Sequence, residues 1–600
     1  MGSNGDLNAN SQCLSSTGDL VLDKAVNQWM AWDKNPQTRK QMESLVREGH
    51  VVELRRRLCS RMTFGTAGLR AEMGAGFACI NDLTVIQSTQ VKSCSHLCNS
   101  VKNMYVFFLC RLARLTAAVM LCKDIPVYLF STYVPTPFVP YAVMKYEAAA
   151  GVMITASHNR KEDNGYKVYW HNGAQISSPH DKEILHCIEE NTEPWPESWN
   201  EHLVESSLLR RDPLEDVCRW YMEELNTICF HRELNAKSPL KFVHSSFHGV
   251  GHNYVQRAFQ QFGFPPPIPV PEQKETDPDF STVSCPNPEE GESVLELSLR
   301  LAEREEAHIV VATDPDADRL AVADFGWKVF TGNELAALLG WWMLFNWKEA
   351  HPDPADTETV YMLATTVSSK ILKAFARIEG FHFEETLPGF KWIGKRIHEL
   401  TKTGKEVIFS FEESIGFLCG NMVLDKDGVS TATVVAEMAA YLHTKNLSLN
   451  KQLINIYEIY GYHVSRTSYV LCSDPLTIHR IFSRLRNFGG PGDYPELCGD
   501  YCITHIRDVT TGYDSSQPDK KCVLPLSKNS QMVTFTFQNG VVATLRTSGT
   551  EPKIKYYSEF CAVPGERDIS SLEEELRKVT TALVEEFLEP DKNNLLRRSV

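Results

Sequence analysis

The sequence has no hydrophobic run long enough to cross a membrane, no C-x-x-C cysteine pair and no excess of positive charge. Its longest mainly apolar stretch, from Leu335 to Phe345, falls well short of the ~20 residues that a transmembrane helix needs. The first six residues have neither the apolar core of a signal peptide nor the Ser or Thr that myristoylation requires at position 6. These absences predict a cytosolic (cytoplasmic) protein with no membrane partner.

Charge and cysteine content exclude further classes of protein. Lys and Arg total 61 against 76 Asp and Glu, so the net charge is −15 and no overall field attracts nucleic acid. The 17 cysteines include no C-x-x-C pair, which argues against zinc binding and thiol redox chemistry. We therefore expect no nucleic-acid partner, and any polyanionic ligand would need local cationic pockets.

The composition is that of a folded protein with an α/β pattern. Hydrophobic residues at 43% and charged residues at 23% lie near the averages for soluble proteins, and at ~150 residues per domain the length allows about four domains. Residues 1–18 are rich in Ser, Asn and Gly and are predicted to be disordered. Beyond them, helix-like periodicity alternates with short β-branched runs at 152–155, 308–311 and 407–409, which predicts largely parallel sheets. Two runs near 533–545 and a helical pattern after them predict a separate C-terminal α+β domain.

Three aspartates alternate directly after a short apolar run, at Asp314, Asp316 and Asp318. In an extended segment alternate side chains share one face, so three hard oxygen ligands would converge on a divalent cation, most simply Mg²⁺. An EF-hand is excluded because its sixth and twelfth positions would be Arg319 and Phe325 instead of Gly and Glu. The alternative is a solvated acidic turn. Arg319 beside a metal would suit a phosphate group.

A serine follows another apolar run, in the motif Thr-Ala-Ser-His-Asn that contains Ser157 and His158. At a strand-to-loop corner we expect Ser157 to be exposed enough to react, although a neighbouring histidine alone does not identify a nucleophile. Arg160, Lys161 and Lys167 form a cationic group within the next ten residues. This group could hold phosphate, or it could be an ordinary solvated loop.

Two further motifs offer ligands for a sugar phosphate. Arg546, Ser548, Gly549 and Thr550 combine a guanidinium fork, two hydroxyls and a glycine that lets backbone N–H groups approach an anion; the alternative is a polar hairpin turn.

In Phe-Glu-Glu-Ser-Ile-Gly, Glu412 and Ser414 suit hydrogen bonding to sugar hydroxyls, or the segment could cap a helix. Together the metal site, the serine and these two loops indicate phosphoryl transfer on a phosphosugar.

The order of these motifs resembles the α-D-phosphohexomutase superfamily, and the Thr-Phe-Gly-Thr-Ala-Gly-Leu-Arg run that ends at Arg70 resembles its N-terminal motif. The resemblance extends over about residues 20 to 590. It implies an α/β fold of three related α/β domains plus a C-terminal α+β domain around a central cleft. The expected domains are 19–205 with the serine loop, 206–332 with the metal loop, 333–450 with the sugar-binding loop, and 451–600 with the phosphate-binding loop.

The resemblance also implies roles for individual residues. Ser157 would be a phosphoserine whose phosphate completes the metal site of Asp314, Asp316 and Asp318, with Mg²⁺ as the cofactor. The other matching positions are Arg70 and Arg319 for phosphate near the serine, Glu412 and Ser414 for sugar hydroxyls, Arg546, Ser548, Gly549 and Thr550 for the distal phosphate, and His158, Lys167 and Lys426 for acid/base or substrate contacts.

Within the superfamily the sequence resembles the branch that contains phosphopentomutase and glucose 1,6-bisphosphate synthase. Arg160 and Pro388 occupy positions where mutases usually carry Pro and Thr, and both favour the synthase. The implied reaction transfers phosphoryl from 1,3-bisphosphoglycerate through Ser157 to glucose 1-phosphate, in a protein expected to be a monomer. The alternatives are a phosphopentomutase or phosphoglucomutase that interconverts sugar 1-phosphates and 5- or 6-phosphates, and a non-catalytic sugar-phosphate-binding protein.

One segment departs from the family pattern. Relatives carry a strand and a loop reading roughly Gly-Tyr-Asp-x-Arg after the first long helix, whereas residues 91–110 here are shorter and different. The family pattern resumes at Arg111. A missing central strand would leave backbone groups of the first sheet unpaired, and the non-catalytic alternative depends on this segment.

Overall fold

The computed structural model describes residues 17–65, 68–90, 104–107, 111–324, 326–472, 474–527, 530–548, 552–565 and 568–597. Apart from its last two residues, the tail predicted to be disordered lies outside this part of the chain. Within the described ranges no helix is both long enough and apolar enough to span a bilayer.

The first part of the chain forms a mixed sheet covered by helices. Its sheet has the order β1-β5-β4-β2-β3-β6, in which β5 runs antiparallel to both β1 and β4 and the other neighbours are parallel. The elements are α1 (Leu20–Trp32), α2 (Pro36–Arg47), α3 (Val51–Leu58), β1 (Leu69–Glu72), α4 (Asp82–Thr89), β2 (Met104–Phe107), α5 (Arg111–Leu121), β3 (Val127–Tyr128), α6 (Phe138–Lys145), β4 (Ala150–Ile154), β5 (Asp163–Trp170), α7 (His180–Glu190), α8 (His202–Ser206) and β6 (Arg210–Arg211).

Local sequence explains where the first helix begins and which face it buries. The Asp19 side chain accepts hydrogen bonds from the backbone N–H groups of Val21 and Leu22, which otherwise have no partner within the helix. The periodic positions Val26 and Trp29 are buried. The predicted helical periodicity is therefore confirmed here.

The strand expected to be missing from the first sheet is present. Met104–Phe107 forms β2 and pairs in parallel with β3 on one side and β4 on the other. The prediction of unpaired backbone groups is thus wrong for these four residues, because a Met-Tyr-Val-Phe run supplies a strand in spite of the altered sequence around it. Residues 91–103 and 108–110 lie outside the described part of the chain.

The second and third parts of the chain each form a four-stranded sheet, β10-β9-β7-β8 and β12-β11-β13-β14. The elements of the second part are α9 (Leu214–Glu224), α10 (Arg232–Lys237), β7 (Phe242–Ser245), α11 (Gly251–Gln261), β8 (Ile268–Pro269), α12 (Glu292–Arg304), β9 (Ile309–Thr313) and β10 (Leu320–Ala323). Those of the third part are α13 (Gly332–Ala350), β11 (Val360–Thr365), α14 (Ile371–Glu379), β12 (His382–Thr386), α15 (Phe390–Lys402), β13 (Glu406–Glu412), β14 (Gly416–Cys419), α16 (Gly428–Thr444) and α17 (Leu449–Tyr460).

The three sheets share one arrangement of four strands. In β3-β2-β4-β5, β8-β7-β9-β10 and β12-β11-β13-β14, the first three strands are parallel and the fourth is antiparallel to the third. The third and fourth strands follow each other in the chain, so each sheet contains one hairpin at the same place. The expectation of three related α/β domains is confirmed by this topology, although the sequence shows no repeat.

The last part of the chain has a different fold, as expected. Its sheet is antiparallel, in the order β16-β17-β19-β20-β21-β15-β22 with β18 paired to β17. The elements are β15 (His463–Leu471), α18 (Pro475–Leu485), β16 (Leu497–Cys498), β17 (Tyr501–Asp508), β18 (Tyr513–Asp514), β19 (Met532–Phe537), β20 (Val541–Thr547), β21 (Lys553–Cys561), α19 (Ile569–Ala582) and β22 (Leu596–Arg597).

The longest apolar stretch of the sequence has a structural explanation. It lies inside α13, which contacts β13, α17 and α16 and buries residues on nearly every side, including Leu338, Leu339 and Trp342. A helix that is apolar all round is buried all round. This stretch is therefore part of the protein core.

Candidate active site

The serine, metal and sugar-binding motifs occupy the same place in the three related sheets. Ser157 lies between β4 and β5, the three aspartates between β9 and β10, and Ser414 between β13 and β14. Each loop turns through one residue in the left-handed region: Ser157 at φ 60°, Ala317 at φ 56° and Ile415 at φ 60°. The helix-capping alternative for the third motif is wrong, because that segment closes a hairpin.

Ser157 is held against the aspartate loop. Its hydroxyl donates a hydrogen bond to Oδ2 of Asp314 at 2.6 Å, and its Oγ lies 3.2 Å from Nδ1 of His158. The residue is only 6% exposed. The prediction of an exposed serine is therefore wrong, because a loop from the second sheet covers the corner that the first sheet alone would leave open.

The three aspartates converge, but by a turn and not by extended backbone. One carboxylate oxygen from each of Asp314, Asp316 and Asp318 lies within 4.8 Å of the others, and all three residues are buried. The left-handed Ala317 breaks the extended geometry that alternation suggested. Burial together with the charges of Asp316 and Asp318 raises the pKa of Asp314 well above its ordinary value. A solvated acidic turn is thus excluded.

These carboxylates fit a divalent cation. Within the described residues, Oδ1 of Asp316 and Oδ1 of Asp318 are buried without a hydrogen-bond partner. Buried carboxylate oxygens without partners carry a large desolvation cost that a bound cation offsets. The donor set is all oxygen, with the hydroxyl of Ser157 adjacent, which suits a hard cation such as Mg²⁺ or Ca²⁺ and not a soft thiophilic metal.

Two buried lysines neutralise part of this charge. Nζ of Lys167 lies 2.8 Å from Oδ2 of Asp316 and 3.0 Å from Oδ2 of Asp318. Nζ of Lys426 lies 3.2 Å from the same oxygen of Asp318 and 3.8 Å from Oε1 of Glu412. Burial acts against both charged lysines, yet the pKa of each is raised because the neighbouring carboxylates outweigh burial. Both side chains are therefore ammonium ions in this site.

Arg319 connects the metal loop to the sugar-binding loop. Its backbone N–H donates to Oδ1 of Asp314 at 3.0 Å, and its guanidinium donates to the carbonyl of Ser414 at 2.9 Å and to Oε1 of Glu289 at 2.5 Å. Burial opposes ionisation, but the Glu289 and Asp318 charges raise the pKa of Arg319 above its ordinary value. The guanidinium is fixed by contacts with two loops.

Arg70, a cation, and His158, an imidazole, complete the surroundings of Ser157. Arg70 donates to Oδ1 of Asn159 at 3.2 Å, and its Nε is buried without a partner in the described structure. Burial and the charges of Arg319 and Arg70 lower the pKa of His158 well below its ordinary value. The imidazole next to Ser157 is consequently neutral and can accept a proton.

The cationic group predicted around the serine is divided by the fold. Lys167 is fully buried on β5 and contacts the carboxylates of Asp316 and Asp318. Arg160 and Lys161 are exposed instead, and Lys161 pairs with Asp279 at 3.0 Å. Both faces of β5 are covered, since residues 165–169 are all buried, and alternation places Lys167 on the face that meets the aspartate loop.

The phosphate-binding motif lies on the C-terminal sheet. Arg546 is on β20 and Ser548 follows that strand, while Gly549 and Thr550 lie outside the described residues. The charge of Arg546 acts on the pKa of Glu413, the neighbour of Glu412, and on the pKa of Lys391. The phosphate-binding and sugar-binding motifs are therefore close enough to interact electrostatically.

The sequence did not indicate three residues that contact this machinery. Thr136 donates to Oδ2 of Asp316 at 2.9 Å, and Glu289 pairs with Arg319; neither lies in a recognisable pattern. Lys391 is buried at the start of α15 and donates to the carbonyl of Gly65 at 3.1 Å. Its position directly after a Gly-Phe pair at a strand-to-helix junction was the available signal for an anion-binding lysine.

The two positions that favoured the synthase lie at different depths. Arg160 is exposed in the β4–β5 loop. Pro388 is half-buried. It precedes Gly389, which has a φ of 106° and is the N-cap residue of α15. Lys391, whose pKa is lowered mainly by burial and also by the charge of Arg546, lies in that first helical turn, three positions after Pro388.

Comparison with known proteins agrees with this geometry. The models of phosphoglucomutase/phosphomannomutase α/β/α domains I, II and III match residues 108–195, 219–326 and 331–460. Over 616 aligned residues the chain is 67% identical to a human glucose 1,6-bisphosphate synthase, covering 99% of each chain. It is 54% identical over 597 residues to a human phosphopentomutase, covering 96% of this chain and 97% of the relative.

Solved structures share the fold at low sequence identity. Paramecium parafusin (phosphoglucomutase) in an open form matches with a TM-score of 0.62 and 17% identity, over 89% of this chain and 96% of that one. A family protein from Burkholderia thailandensis matches with a TM-score of 0.62 and 16% identity, over 88% and 98% of the two chains. The chain therefore belongs to the phosphoglucomutase/phosphomannomutase family, as the sequence matches show and as the same hairpin in each of its three sheets agrees.

Proposed function

We propose that this protein is a glucose 1,6-bisphosphate synthase that acts through a phosphoserine at Ser157. The contact that carries the proposal is the 2.6 Å hydrogen bond from Ser157 to Asp314, which places a hydroxyl at the edge of a buried carboxylate cluster. Full-length identity of 67% to a protein of that name supports the same reaction. A cytosolic location, a monomeric state and the four domain boundaries stay predictions.

We propose that Mg²⁺ is the bound cation. It would be held by Asp314, Asp316 and Asp318 together with the oxygen on Ser157. When bound, such an ion supplies neutralisation of phosphoryl oxygens, which lowers the barrier to attack by an oxygen nucleophile. Lys167 and Lys426 keep the neighbouring carboxylates partly neutralised. The protein thus contributes positioning and charge, which phosphoryl transfer needs more than a covalent triad.

The phosphoryl group would be transferred in two steps, first to Oγ of Ser157 and then from it to the sugar. Ser157 Oγ attacks the acyl phosphate of 1,3-bisphosphoglycerate, loses its proton and releases 3-phosphoglycerate. The 6-hydroxyl of glucose 1-phosphate then attacks that phosphorus, loses its proton and regenerates the serine. The serine hydroxyl donates a hydrogen bond to Oδ2 of Asp314 at 2.6 Å, and Nδ1 of His158 lies 3.2 Å from Oγ, so these are the two groups placed to take the proton.

The remaining residues would bind the acceptor. Glu412 and Ser414 would hold sugar hydroxyls, and Arg70 and Arg319 would steady the transferring phosphoryl group. Arg546 and Ser548, with Gly549 and Thr550, would hold the phosphate that does not react. Proximity of Arg546 to the sugar-binding motif, seen in its effect on the pKa of Glu413, supports a single bound molecule spanning both.

A paired assay tests the proposal. One preparation is supplied with 1,3-bisphosphoglycerate and glucose 1-phosphate, and in parallel with ribose 1-phosphate and a bisphosphate primer, with the Ser157→Ala variant as the control in both. Dominant release of glucose 1,6-bisphosphate is the expected result. Dominant isomerisation of the pentose phosphate would identify a mutase instead, and ligand binding without turnover or serine phosphorylation would identify a binding protein.

A further inference from the structure

Lys426 sits between two buried acids in the segment Asp425–Asp427, which connects β14 to α16. Asp425 and Asp427 are completely buried and Lys426 is 4% exposed. Asp427 caps α16 by accepting from the N–H groups of Val429 and Ser430, each at 3.0 Å. The segment therefore carries two carboxyl side chains and one lysine into the interior of the protein.

Both acids are bound by tyrosines from other parts of the chain. The hydroxyl of Tyr169, on β5, donates to Oδ2 of Asp425 at 2.6 Å, and Nε2 of Gln175 donates to the same oxygen at 2.7 Å. The hydroxyl of Tyr221, on α9, donates to Oδ2 of Asp427 at 2.6 Å. Tyr169 and Tyr221 are both completely buried. Hydrogen bonds as short as these, to carboxylates closed off from water, fix the position of both partners.

Backbone packing leaves the segment little room to move. A Cβ atom at Gly416 would lie 2.2 Å from Cδ of Lys426, and one at Gly428 would lie 2.4 Å from the carbonyl oxygen of Arg319. The lysine stem thus lies directly on the sugar-binding hairpin, and the start of α16 lies on the metal loop. Small displacements of Asp425 or Asp427 would move Nζ of Lys426 away from Asp318.

We propose that Tyr169 and Tyr221 are positioning residues, which hold Asp425 and Asp427 so that the ammonium of Lys426 stays beside Asp318 and Glu412. The role rests on the proposed phosphoryl transfer. Lys167 and Tyr169 share one face of β5, the strand that follows the Ser157 loop. The strand would therefore position two lysines of the site. One strand then aligns Lys167 directly and Lys426 through Asp425.

The strand offers a matched control. Tyr166 is also on β5 and is 3% exposed, but it points to the opposite face, where its hydroxyl lies 3.0 Å from Oγ1 of Thr89. Tyr166→Phe removes a buried hydroxyl without touching the Asp425–Asp427 segment. Tyr169→Phe should lower kcat by ~10-fold to 100-fold with KM within about twofold, whereas Tyr166→Phe should leave kcat unchanged at a similar melting temperature. Tyr221→Phe is the second variant, should Tyr169→Phe not fold.

A double-mutant cycle shows whether the tyrosine acts through the lysine. In the Lys426→Met background, Tyr169→Phe should cause no further loss of kcat. A loss of the same size in both backgrounds, or an unchanged kcat in both tyrosine variants, would overturn the proposal.

A measurement that needs no turnover separates this proposal from the proposed function. Acylation of Lys426 by an amine-reactive reagent, followed by mass spectrometry of the full-length protein, should be several-fold faster in Tyr169→Phe than in wild type or Tyr166→Phe. Equal protection of Lys426 in all three would overturn the positioning role. A wild-type protein that transfers no phosphoryl would refute the proposed function, while the labelling result would still decide the role of Tyr169.

Discussion

The hydroxyl of Ser157 donates a 2.6 Å hydrogen bond to Asp314, although 157 residues separate the two in the chain. Neither hairpin could make this contact alone. It joins the loop after β4 to the loop after β9, so the relative placement of two sheets sets the geometry of the nucleophile. The consequences can be measured.

Ser157→Ala should abolish phosphoryl transfer and leave the overall fold intact. Because the serine is buried and hydrogen-bonded, we expect a stability loss of about 1 kcal/mol and not the silent change of an exposed site. Mass spectrometry after incubation with the donor should locate phosphate on Ser157 in wild type only. Phosphate on another residue, with activity surviving the substitution, would defeat the mechanism.

Asp316→Asn should weaken the response to Mg²⁺ and lower activity together. The change removes one of three converging carboxylates, and we expect a loss of roughly 10-fold or more in apparent metal affinity. Activity across a magnesium titration measures it. Asp279→Asn is the control, because Asp279 is exposed and pairs only with Lys161 among the ion pairs described for it. Matching titration curves for both variants would remove Asp316 from the metal site.

The double change Arg160→Pro and Pro388→Thr should raise mutase turnover relative to bisphosphate release. The first removes an exposed cation from the serine loop, and the second introduces a hydroxyl three residues before Lys391, where mutases usually carry Thr. An effect of ~1–3 kcal/mol would shift the partition about 10-fold or more. The ratio of isomerised monophosphate to released bisphosphate is compared in wild type, both single variants and the double variant. A constant ratio would show that specificity resides elsewhere.

Glu385→Gln should loosen the C-terminal sheet from the third sheet. Glu385 on β12 accepts from Lys370 at 2.7 Å and from Arg507 on β17 at 2.8 Å. Burial opposes its ionisation, but these two cations lower the pKa of Glu385 to about 2. A depressed carboxyl pKa stabilises the folded state above the ordinary value near 4.5, and this contribution disappears as the pH falls toward 2.

The expected cost of Glu385→Gln at pH 7 is therefore about 3 kcal/mol, and it should shrink as the pH falls below about 4.5. Urea unfolding at pH 7, 5 and 4 measures it. Glu384→Gln is the control, because Glu384 pairs with Arg396 within the third part of the chain. A stability difference that does not change with pH, or equal effects of both variants, would contradict this account.

The sequence located the functional loops because each polar motif follows an apolar run. Strands that end at the carboxyl edge of a sheet must leave their next residues near a ligand, so the positions of Ser157, Asp314 and Glu412 could be predicted. The burial of Ser157 could not, since it depends on a loop from another sheet. The turn at Ala317 could not be predicted either, because alternating aspartates in the sequence do not show that the residue between two of them has a left-handed backbone conformation.

Contacts that join distant segments set the limit of sequence reasoning. Glu289 and Tyr221 show no local pattern, and only the fold brings them to Arg319 and Asp427. The relationship of the three sheets could be expected only through the family resemblance, because their shared strand order leaves no repeat in the residues themselves. Met104–Phe107 is the opposite case: comparison with the family pattern indicated a missing strand, yet these residues form β2.

The repetition of one hairpin in three sheets has a consequence for fragments of this protein. A piece that ends before β9 would keep Ser157 and Lys167 but none of the three metal-binding aspartates, and a piece that starts there would keep the aspartates without the serine. No single repeat contains all of the chemistry. Each of the three hairpins supplies a different part of the site, so a fragment that contains only one of these sheets cannot assemble it.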